Sequence, residues 1–305
     1  MKFSKIFLRI IYEIKRVATG KPFIAEVDIT DRCNLRCSHC YHFQEKGDAK
    51  GQEEPSVEKW RDRFSELHKK GIRMIMLMGG EPMLRPDIVQ LADEMFPFVE
   101  MITNGTIPVP EKYQHRIFVS IDGMKKTNDS IRGEGVFDKV VNNFSGDKRA
   151  VFNMTLSGDN FKELQQVVEL SEKIGISGVV CNIYTALDSN SKSRLEQEIR
   201  EKIIETIKEV KKKKPAQMLI TAKALDWFEK GDHRDKCYWS EKVLHYDINW
   251  NNRPCFAVAD CSNCGCFAGA MGSPLGSFGQ FKGLLAIMFH VAAFRISKFF
   301  RKNHK

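Results

Sequence analysis

The chain contains, at residues 23–40, the stretch Phe23-Ile-Ala-Glu-Val-Asp-Ile-Thr-Asp-Arg-Cys33-Asn-Leu-Arg-Cys37-Ser-His-Cys40. Its first seven residues are mostly apolar and β-branched, which favours a buried strand. Three cysteines follow in the spacing C-x3-C-x2-C, on the loop that leaves this strand. About forty residues later a second apolar run ends in Gly79-Gly80-Glu81-Pro82. The two segments predict neighbouring strands of an α/β sheet. Each strand is followed by a loop whose residues could take part in binding or chemistry.

The cysteine loop supplies three thiolates and leaves a fourth coordination position open. In a [4Fe–4S] cube each of the four irons needs an outside ligand, so a three-cysteine loop leaves one iron available for another ligand. A closed structural zinc site takes four ligands instead. His39 or His42 could complete such a zinc site, and three buried thiols without metal are a further alternative. The spacing alone leaves these alternatives open.

Taken together, the cysteine loop and the Gly-Gly-Glu-Pro turn resemble the radical S-adenosylmethionine (SAM) superfamily. The resemblance implies that Cys33, Cys37 and Cys40 hold a [4Fe–4S] cluster whose unique iron chelates SAM. It also implies that residues 79–82 bind the SAM amino group. An ammonium needs acceptors, and carbonyls on a glycine-rich turn together with Glu81 can supply them, because glycine allows the backbone to approach a ligand closely.

Further predicted SAM contacts lie at the ends of later strands. Ser120 and Arg132 resemble residues of peptide-modifying and sulfatase-maturing radical SAM enzymes, where a serine and an arginine bind the SAM carboxylate. The planar guanidinium suits a carboxylate because it can donate two parallel hydrogen bonds. Turn capping and a surface salt bridge are the structural alternatives. Asn104 closes the third predicted strand, and His39 occupies the position where the family often places an aromatic residue against adenine.

The alternation of apolar strand-like runs with helical stretches predicts a parallel sheet. We expect a partial (β/α)6 TIM-like barrel with a small cysteine-rich C-terminal extension, whose active site opens at the carboxyl ends of the strands. The predicted strands are Phe23–Ile29, Ile72–Met78, Val99–Thr103, Ile117–Ile121, Ala150–Leu156 and Gly178–Tyr184. The predicted helical intervals are 56–70, 86–96, 135–144, 160–174 and 191–213.

A second group of cysteines lies in the C-terminal extension. Such density in a cytoplasmic protein indicates metal binding rather than disulfides. Structural zinc and a second iron–sulfur cluster both fit, and the radical SAM context favours the cluster. The spacing departs from that of SPASM auxiliary-cluster domains and loosely resembles the tail of adenosylhopane synthase-type members. The cysteines of this group are Cys237, Cys255, Cys261, Cys264 and Cys266.

Charge is concentrated at the two ends of the chain. Of the formal net charge of +9, residues 1–21 carry +5 and residues 278–305 carry +6, which leaves −2 for the body between them. This distribution argues against a nucleic-acid partner, which would favour a basic cleft. Both ends also have apolar faces, as do helices that lie in a membrane interface. Packing of both helices on the barrel is the alternative.

These features predict four segments: an amphipathic helix at 1–21, the barrel at 22–215, a cysteine-rich metal segment at 216–275 and a basic amphipathic helix at 276–305. We expect an enzyme, an oxidoreductase or transferase, that cleaves SAM reductively to a 5′-deoxyadenosyl radical. The radical would modify an unactivated C–H bond, preferably of a membrane lipid or isoprenoid. A peptide- or protein-modifying maturase is the alternative. A zinc-binding interaction protein is a third reading, which leaves the Gly-Gly-Glu-Pro turn unexplained.

The predicted partner in electron transfer is a one-electron reductant such as flavodoxin or ferredoxin. The sequence lacks the pattern of a signal peptide, and thiolate ligands need a reducing compartment. We therefore expect a cytoplasmic protein, peripheral on the inner face of the membrane if the terminal helices bind lipid. Cys181 stands apart from both cysteine groups. We predict a buried, hydrophobe-like role for it, with hydrogen-atom donation as the alternative.

Overall fold

The computed structural model describes residues 22–46, 53–186, 195–230, 237–253, 255, 261 and 264–272. The terminal helices predicted at 1–21 and 276–305 lie outside these described residues. Within the described part of the chain, no helix has both the length and the apolar character needed to span a bilayer.

One sheet of eight strands organises the fold, in the order β6-β5-β4-β3-β2-β1-β7-β8. Strands β1 to β5 each pair in parallel with the next strand in the chain, so that β6 forms one end of the sheet. Strand β7 pairs in parallel with the other side of β1, and β8 runs antiparallel to β7. The strands are β1 (Ile24–Thr30), β2 (Met74–Gly79), β3 (Phe98–Thr103), β4 (Arg116–Ser120), β5 (Ala150–Leu156), β6 (Val179–Ile183), β7 (Val243–Tyr246) and β8 (Asn252–Arg253). The six predicted strands are thus confirmed within two residues at each end.

Helices connect the parallel strands, as the barrel prediction requires. Their bounds are α1 (Tyr41–Lys46), α2 (Val57–Lys69), α3 (Pro86–Met95), α4 (Lys125–Arg132), α5 (Val136–Phe144), α6 (Leu164–Lys173), α7 (Gln197–Lys213), α8 (Ala222–Lys230), α9 (Tyr238–Lys242) and α10 (Phe267–Gly272). All five predicted helical intervals contain a helix. Helix α2 begins where the Ser56 hydroxyl accepts a hydrogen bond from the Lys59 N–H. Helix α3 begins with Pro86, whose missing N–H costs nothing because the first N–H groups of a helix have no partner within it.

The two faces of β1 have different characters although both are buried. Ala25, Val27 and Ile29 belong to the main apolar core between the sheet and its helices. Glu26 and Asp28 alternate with them and are 2% and 0% exposed. Because successive side chains of a strand point to opposite faces, these two carboxylates face the interior of the barrel. The lumen beside β1 is therefore polar and closed to solvent.

The C-terminal extension occupies part of that lumen. Trp239 and Val243 form an apolar cluster with Met76, against which Cys237 and Ala268 also pack. Strands β7 and β8 belong to the same extension, so part of the segment predicted to follow the barrel is integrated into its sheet. On the opposite side, the Ile183 N–H of β6 donates to the Gly265 carbonyl over 2.9 Å. The extension thus spans the gap between β6 and β7.

Buried charges join the extension to β1. His245 Nδ1 lies 2.7 Å from Glu26 Oε2, and Arg253 Nη2 lies 2.7 Å from Asp28 Oδ2. Buried carboxylates are costly unless a partner compensates their charge. The pairs therefore explain how β1 can carry two acids on its inner face.

Candidate active site

The cluster loop, residues 31–40, leaves the carboxyl end of β1 and is held from two sides. The Ser38 N–H donates to the Ile131 carbonyl at the end of α4 over 3.0 Å. Cys33 Sγ accepts hydrogen bonds from the Leu35 N–H at 3.4 Å and from Asn104 Nδ2 at 3.7 Å. Such N–H···S bonds stabilise thiolate charge and are a means by which proteins tune iron–sulfur clusters. Asn104, predicted as a SAM contact, thus lies against the cluster loop.

Residues 79 and 80 must be glycine because the turn after β2 lies directly on the cluster loop. The Gly80 N–H donates to the Thr30 carbonyl over 2.8 Å. An added Cβ would come within 2.4 Å of Thr30 O at Gly79, and within 2.1 Å of Arg32 O at Gly80. Gly79 also has a φ of +112°, which side-chain-bearing residues rarely adopt. The two predicted motifs are therefore in backbone contact.

Glu81 is fully buried and its carboxylate is committed to neighbouring groups. It accepts hydrogen bonds from the Met83 N–H at 2.9 Å, Thr103 Oγ1 at 2.8 Å and the Asn104 N–H at 2.7 Å. Burial raises the pKa of this carboxyl, and the three donors counteract the increase. Pro82 begins a short 3₁₀ turn beside it. Glu81 thus fixes the turn to the end of β3, which leaves backbone carbonyls as the available acceptors for an ammonium.

The three thiols of the loop need a compensating positive charge before they can ionise together. Burial raises the pKa of Cys37 to about 11, nearby Arg132 lowers it, and the charge of Cys40 raises it again. Burial is also the main reason why the pKa of Cys33 is raised. A cationic metal centre deprotonates coordinating thiols by supplying that positive charge. The donor set therefore fits a metal cluster better than three isolated thiols.

The contacts of His42 bear on the alternative of a zinc site completed by this histidine. His42 Nε2 lies 3.1 Å from Asp31 Oδ1, so this histidine is engaged with a carboxylate. His42 also groups with Asp28 and Asp31 rather than with the cysteines, since the ligand atoms of these three residues lie within 4.8 Å of one another. A zinc site completed by His42 therefore has no support in the described contacts.

His39 and Arg132 share one partner, Asp122. Arg132 Nη2 lies 2.6 Å and His39 Nε2 lies 3.3 Å from Asp122 Oδ2. Burial lowers the pKa of His39, Asp122 raises it and Arg132 lowers it further. Arg132 Nε is buried and has no hydrogen-bond partner among the described residues. A buried N–H without an acceptor is costly, so this atom points to a missing anionic partner such as a carboxylate.

Ser120, the other predicted carboxylate contact, is half-buried at the carboxyl end of β4. It lies opposite Asn153 of β5 in the sheet register. Asn153 Oδ1 accepts a hydrogen bond from Asn182 Nδ2 at 2.9 Å, and Asn182 Oδ1 accepts one from the Phe267 N–H at 2.8 Å. Hydrogen bonds therefore connect the polar side chains of β5 and β6 to the C-terminal extension.

The cysteines of the extension form a second group. Burial raises the pKa of Cys264 to about 11, and the charges of Cys237 and Cys261 raise it further. Burial, Cys264 and Cys255 raise the pKa of Cys266 well above its usual range. Hydrogen bonds of 3.4 Å reach the Cys264 and Cys266 sulfurs from backbone N–H groups. Each of the other three predicted cysteines therefore lies close enough to Cys264 or Cys266 to affect its pKa.

Cys181 differs from both groups. It is 0% exposed within the main apolar core, and burial alone raises its pKa. A thiol on the helix-facing side of β6 lies outside the lumen. The prediction of a buried, hydrophobe-like role is confirmed.

Sequence reasoning assigned no role to Asp122, although this residue connects two of the predicted site residues. The available signal was its position: an acidic side chain directly after the predicted strand Ile117–Ile121, at the edge where the site was expected. What the sequence could not show is that α4 returns Arg132 to the same edge.

Comparison with known proteins identifies the family to which the described fold belongs. The profile of the radical SAM superfamily matches residues 27–201. The AdoMet-dependent heme synthase of Methanosarcina barkeri is 30% identical over 173 residues, which cover 52% of this chain and 49% of that protein. The sporulation killing factor maturation protein SkfB of Bacillus subtilis is 31% identical over 169 residues, 50% of this chain and 40% of that protein. The chain thus matches less than half the length of these curated relatives.

The fold also resembles solved structures. Streptococcus suis SuiB bound to its precursor peptide SuiA superposes with a TM-score of 0.61 at 13% identity, covering 88% of this chain and 70% of that one. At this identity the likeness concerns the fold alone. It confirms the predicted α/β architecture with a parallel sheet.

Proposed function

The chain belongs to the radical SAM superfamily, and on this basis we propose that it is a peptide-modifying radical SAM enzyme with two iron–sulfur centres. Membership implies a [4Fe–4S] cluster and SAM as cofactors. The observation that carries the proposal is the backbone contact between the three-cysteine loop and the Gly79–Gly80 turn. It brings thiol ligands and acceptors for an ammonium to one edge of the sheet.

Cys33, Cys37 and Cys40 would hold the cluster, and the turn at 79–82 with Ser120 and Arg132 would hold SAM. When bound, these cofactors supply one-electron cleavage of SAM and a 5′-deoxyadenosyl radical that removes hydrogen from a C–H bond. The reductant we propose is a flavodoxin or ferredoxin. The chain's own contribution is orientation and the exclusion of water, which protects reactive species.

Arg132 contributes the carboxylate contact. Its Nη2 is occupied by Asp122, whereas its buried Nε still lacks an acceptor among the described residues. A carboxylate there would receive a charge-assisted hydrogen bond. His39 lies on the same loop as the thiols, with its Nε2 held by Asp122. We propose that its ring, held by Asp122, contacts the nucleoside of bound SAM.

We propose that the C-terminal cysteines hold a second iron–sulfur centre. Support comes from two backbone N–H···S bonds and from the effect of the neighbouring thiols on the pKa values of Cys264 and Cys266. One of these thiols lies against the lumen, because Cys237 packs on the cluster of Met76 and Trp239. A centre at this position would lie beside the substrate space rather than on the outer surface.

The substrate class is argued from relatives. SkfB is named as a maturation protein for a sporulation killing factor, and SuiB was solved with a precursor peptide. The heme synthase points to tetrapyrroles as a second candidate. We favour the peptide, because Ser120 and Arg132 resemble the carboxylate-binding residues of peptide-modifying radical SAM enzymes. The lipid substrate predicted from the terminal helices depends on residues outside the described part of the chain. It has no support from the relatives.

Anaerobic reconstitution tests the activity. With dithionite and SAM, the wild-type protein should release 5′-deoxyadenosine, and the triple Cys33→Ala, Cys37→Ala, Cys40→Ala variant should release none. Cys181→Ala is the matched control, because it removes a thiol from the core and should leave cleavage intact. Normal cleavage by the triple variant would overturn the assignment.

Substrate class is tested by stimulation of 5′-deoxyadenosine release. Three probes are compared: synthetic peptides encoded beside the gene, iron coproporphyrin, and liposomes of anionic lipid. We expect a peptide to stimulate release and to change mass. Stimulation by the porphyrin alone would favour the tetrapyrrole candidate, and stimulation by liposomes alone would restore the lipid prediction.

A further inference from the structure

Asp122 lies where three elements of the site meet. It follows β4, and it is 0% exposed. Its Oδ2 is the common partner of Arg132 Nη2 from α4 and His39 Nε2 from the cluster loop, at 2.6 Å and 3.3 Å. Its Oδ1 accepts a hydrogen bond from the Thr155 N–H of β5 at 3.1 Å. One carboxylate therefore connects the cluster loop, the fourth and fifth strands and the helix that carries Arg132.

The backbone of Asp122 is fixed independently of its side chain. Its N–H donates to Asn128 Oδ1 over 3.0 Å, and its carbonyl accepts from Asn160 Nδ2 at 3.1 Å. Asn128 and Asn160 are 0% and 1% exposed. The next residue, Gly123, has a φ of +140°, a conformation that suits glycine. The carboxylate is thus held in place before either of its cationic partners is considered.

The second tie between α4 and the cluster loop runs through the backbone. The Ser38 N–H donates to the Ile131 carbonyl, one residue from Arg132 and one residue from His39. Together with Asp122, this bond gives the His39 and Arg132 side chains a single relative arrangement. Preorganised groups bind a ligand more tightly because less conformational freedom is lost on binding.

We propose that Asp122 is a positioning residue that orients Arg132 and His39 as one unit toward the SAM site. This inference rests on the proposed function. Asp122 acts through Arg132, whose buried Nε has no acceptor among the described residues and is therefore available to a ligand carboxylate. A purely structural ion pair would stabilise the fold but would have no specific effect on SAM affinity.

The test measures SAM binding to the reconstituted protein by equilibrium dialysis, together with iron content and the thermal midpoint. Asp122→Asn retains the shape of the side chain and removes its charge. We expect iron content near the wild-type value and a Kd for SAM at least tenfold weaker. The spectrum of the reduced cluster by electron paramagnetic resonance should also respond less to added SAM than in the wild type.

The matched control is Asp147→Asn. Asp147 Oδ2 lies 2.6 Å from Arg149 Nη2, the same separation as in the Asp122–Arg132 pair. Residues 147 and 149 precede β5, at the opposite end of the strands from the site. This variant should lower the thermal midpoint and leave SAM affinity unchanged. Wild-type SAM affinity in Asp122→Asn would overturn the proposal, and loss of affinity in both variants would do the same.

A second measurement decides the question if Asp122→Asn fails to fold. With Asp122 retained, the affinity for SAM is measured for Arg132→Gln, for His39→Asn and for the double variant. Because both residues act through one carboxylate, we expect the combined loss of SAM affinity to be smaller than the product of the single losses. Strictly multiplicative losses would overturn the proposal. If the wild type itself fails to bind SAM, the proposed function fails instead.

Discussion

Arg253 and Asp28 are 225 positions apart in the chain, yet Arg253 Nη2 lies 2.7 Å from Asp28 Oδ2. Asp28 is fully buried on the inner face of β1, and the Arg253 side chain is 15% exposed. The contact joins the strand that bears the cluster loop to the C-terminal extension. Its strength can be measured separately from catalysis.

Arg253→Met should destabilise the protein strongly, because it leaves the buried Asp28 carboxylate without its guanidinium. Removing one partner of a buried pair costs about 3–5 kcal/mol, and we expect the lower end here because the arginine is partly exposed. The measurement is urea denaturation under anaerobic conditions. Lys202→Met is the control: its pair with Glu198 is exposed on α7 and screened by solvent, so its loss should change stability little. Equal losses in both variants would contradict the expectation.

Gly80→Ala should disrupt the contact between the two site loops. The new methyl group would lie 2.1 Å from the Arg32 carbonyl oxygen, so the backbone has to move. Overpacking of this kind costs about 1–3 kcal/mol or more, and we expect SAM binding to be lost as well. Gly158→Ala is the control, since its nearest neighbour would be a methyl group of Ile199 at 3.6 Å. Normal SAM binding by Gly80→Ala would show that the loops are not held in this register.

Thiol alkylation of the apoprotein should depend on pH in a residue-specific manner. With a pKa raised to about 11 by burial, Cys37 is almost entirely protonated at pH 7. Since the thiolate reacts, its alkylation by iodoacetamide should accelerate about tenfold per pH unit between pH 7 and pH 10. Mass spectrometry of the digested protein reads out the label at each cysteine.

In the same experiment, Cys181 should stay unlabelled across this range because it is 0% exposed in the core. In denaturant both thiols should react alike, with an ordinary pKa near 8.5. A pH-independent rate at Cys37, or early labelling of Cys181 in the folded protein, would be inconsistent with the described burial.

The extension should retain iron when the first site is removed. In the triple variant that lacks Cys33, Cys37 and Cys40, we expect about four irons and four sulfides per chain, as one cubane requires. Adding Cys264→Ala and Cys266→Ala should remove them. One zinc without sulfide would indicate a structural zinc site instead.

Several features of the fold could be predicted because their signal is local. Strands β1 to β6 are apolar runs bounded by turns, and five helices have apolar stripes. Helix α4 was missed because its sequence, Lys125 to Arg132, has one strongly apolar residue. Contacts outside the helix stabilise it, including the hydrogen bond of 2.6 Å from Thr127 Oγ1 to Glu163 Oε1. Strand β7 was missed because four residues give too short a pattern, and its pairing with β1 depends on distant sequence.

The site residues likewise divide into those with a local sequence signal and those whose contacts depend on distant sequence. The cysteines and glycines could be identified because their chemistry needs fixed spacing within short loops. The partners of Glu81 and Arg132 could not, since both are determined by which loops meet at the sheet edge. Glu81 contacts Thr103 at the end of β3 and Asn104 directly after it, rather than facing open space. Asp122 could be recognised only after α4 was placed.

The sheet order has a consequence for how the protein is made. As the nascent chain leaves the ribosome, β1 to β6 can pair in the order of synthesis, but β1 remains an edge strand until residues 243–246 emerge. Until then Glu26 and Asp28 lack His245 and Arg253, and the lumen lacks Trp239. We therefore expect a period in which the three-cysteine loop is already formed while the lumen is still open. That period is the natural opportunity for iron and sulfide to be delivered.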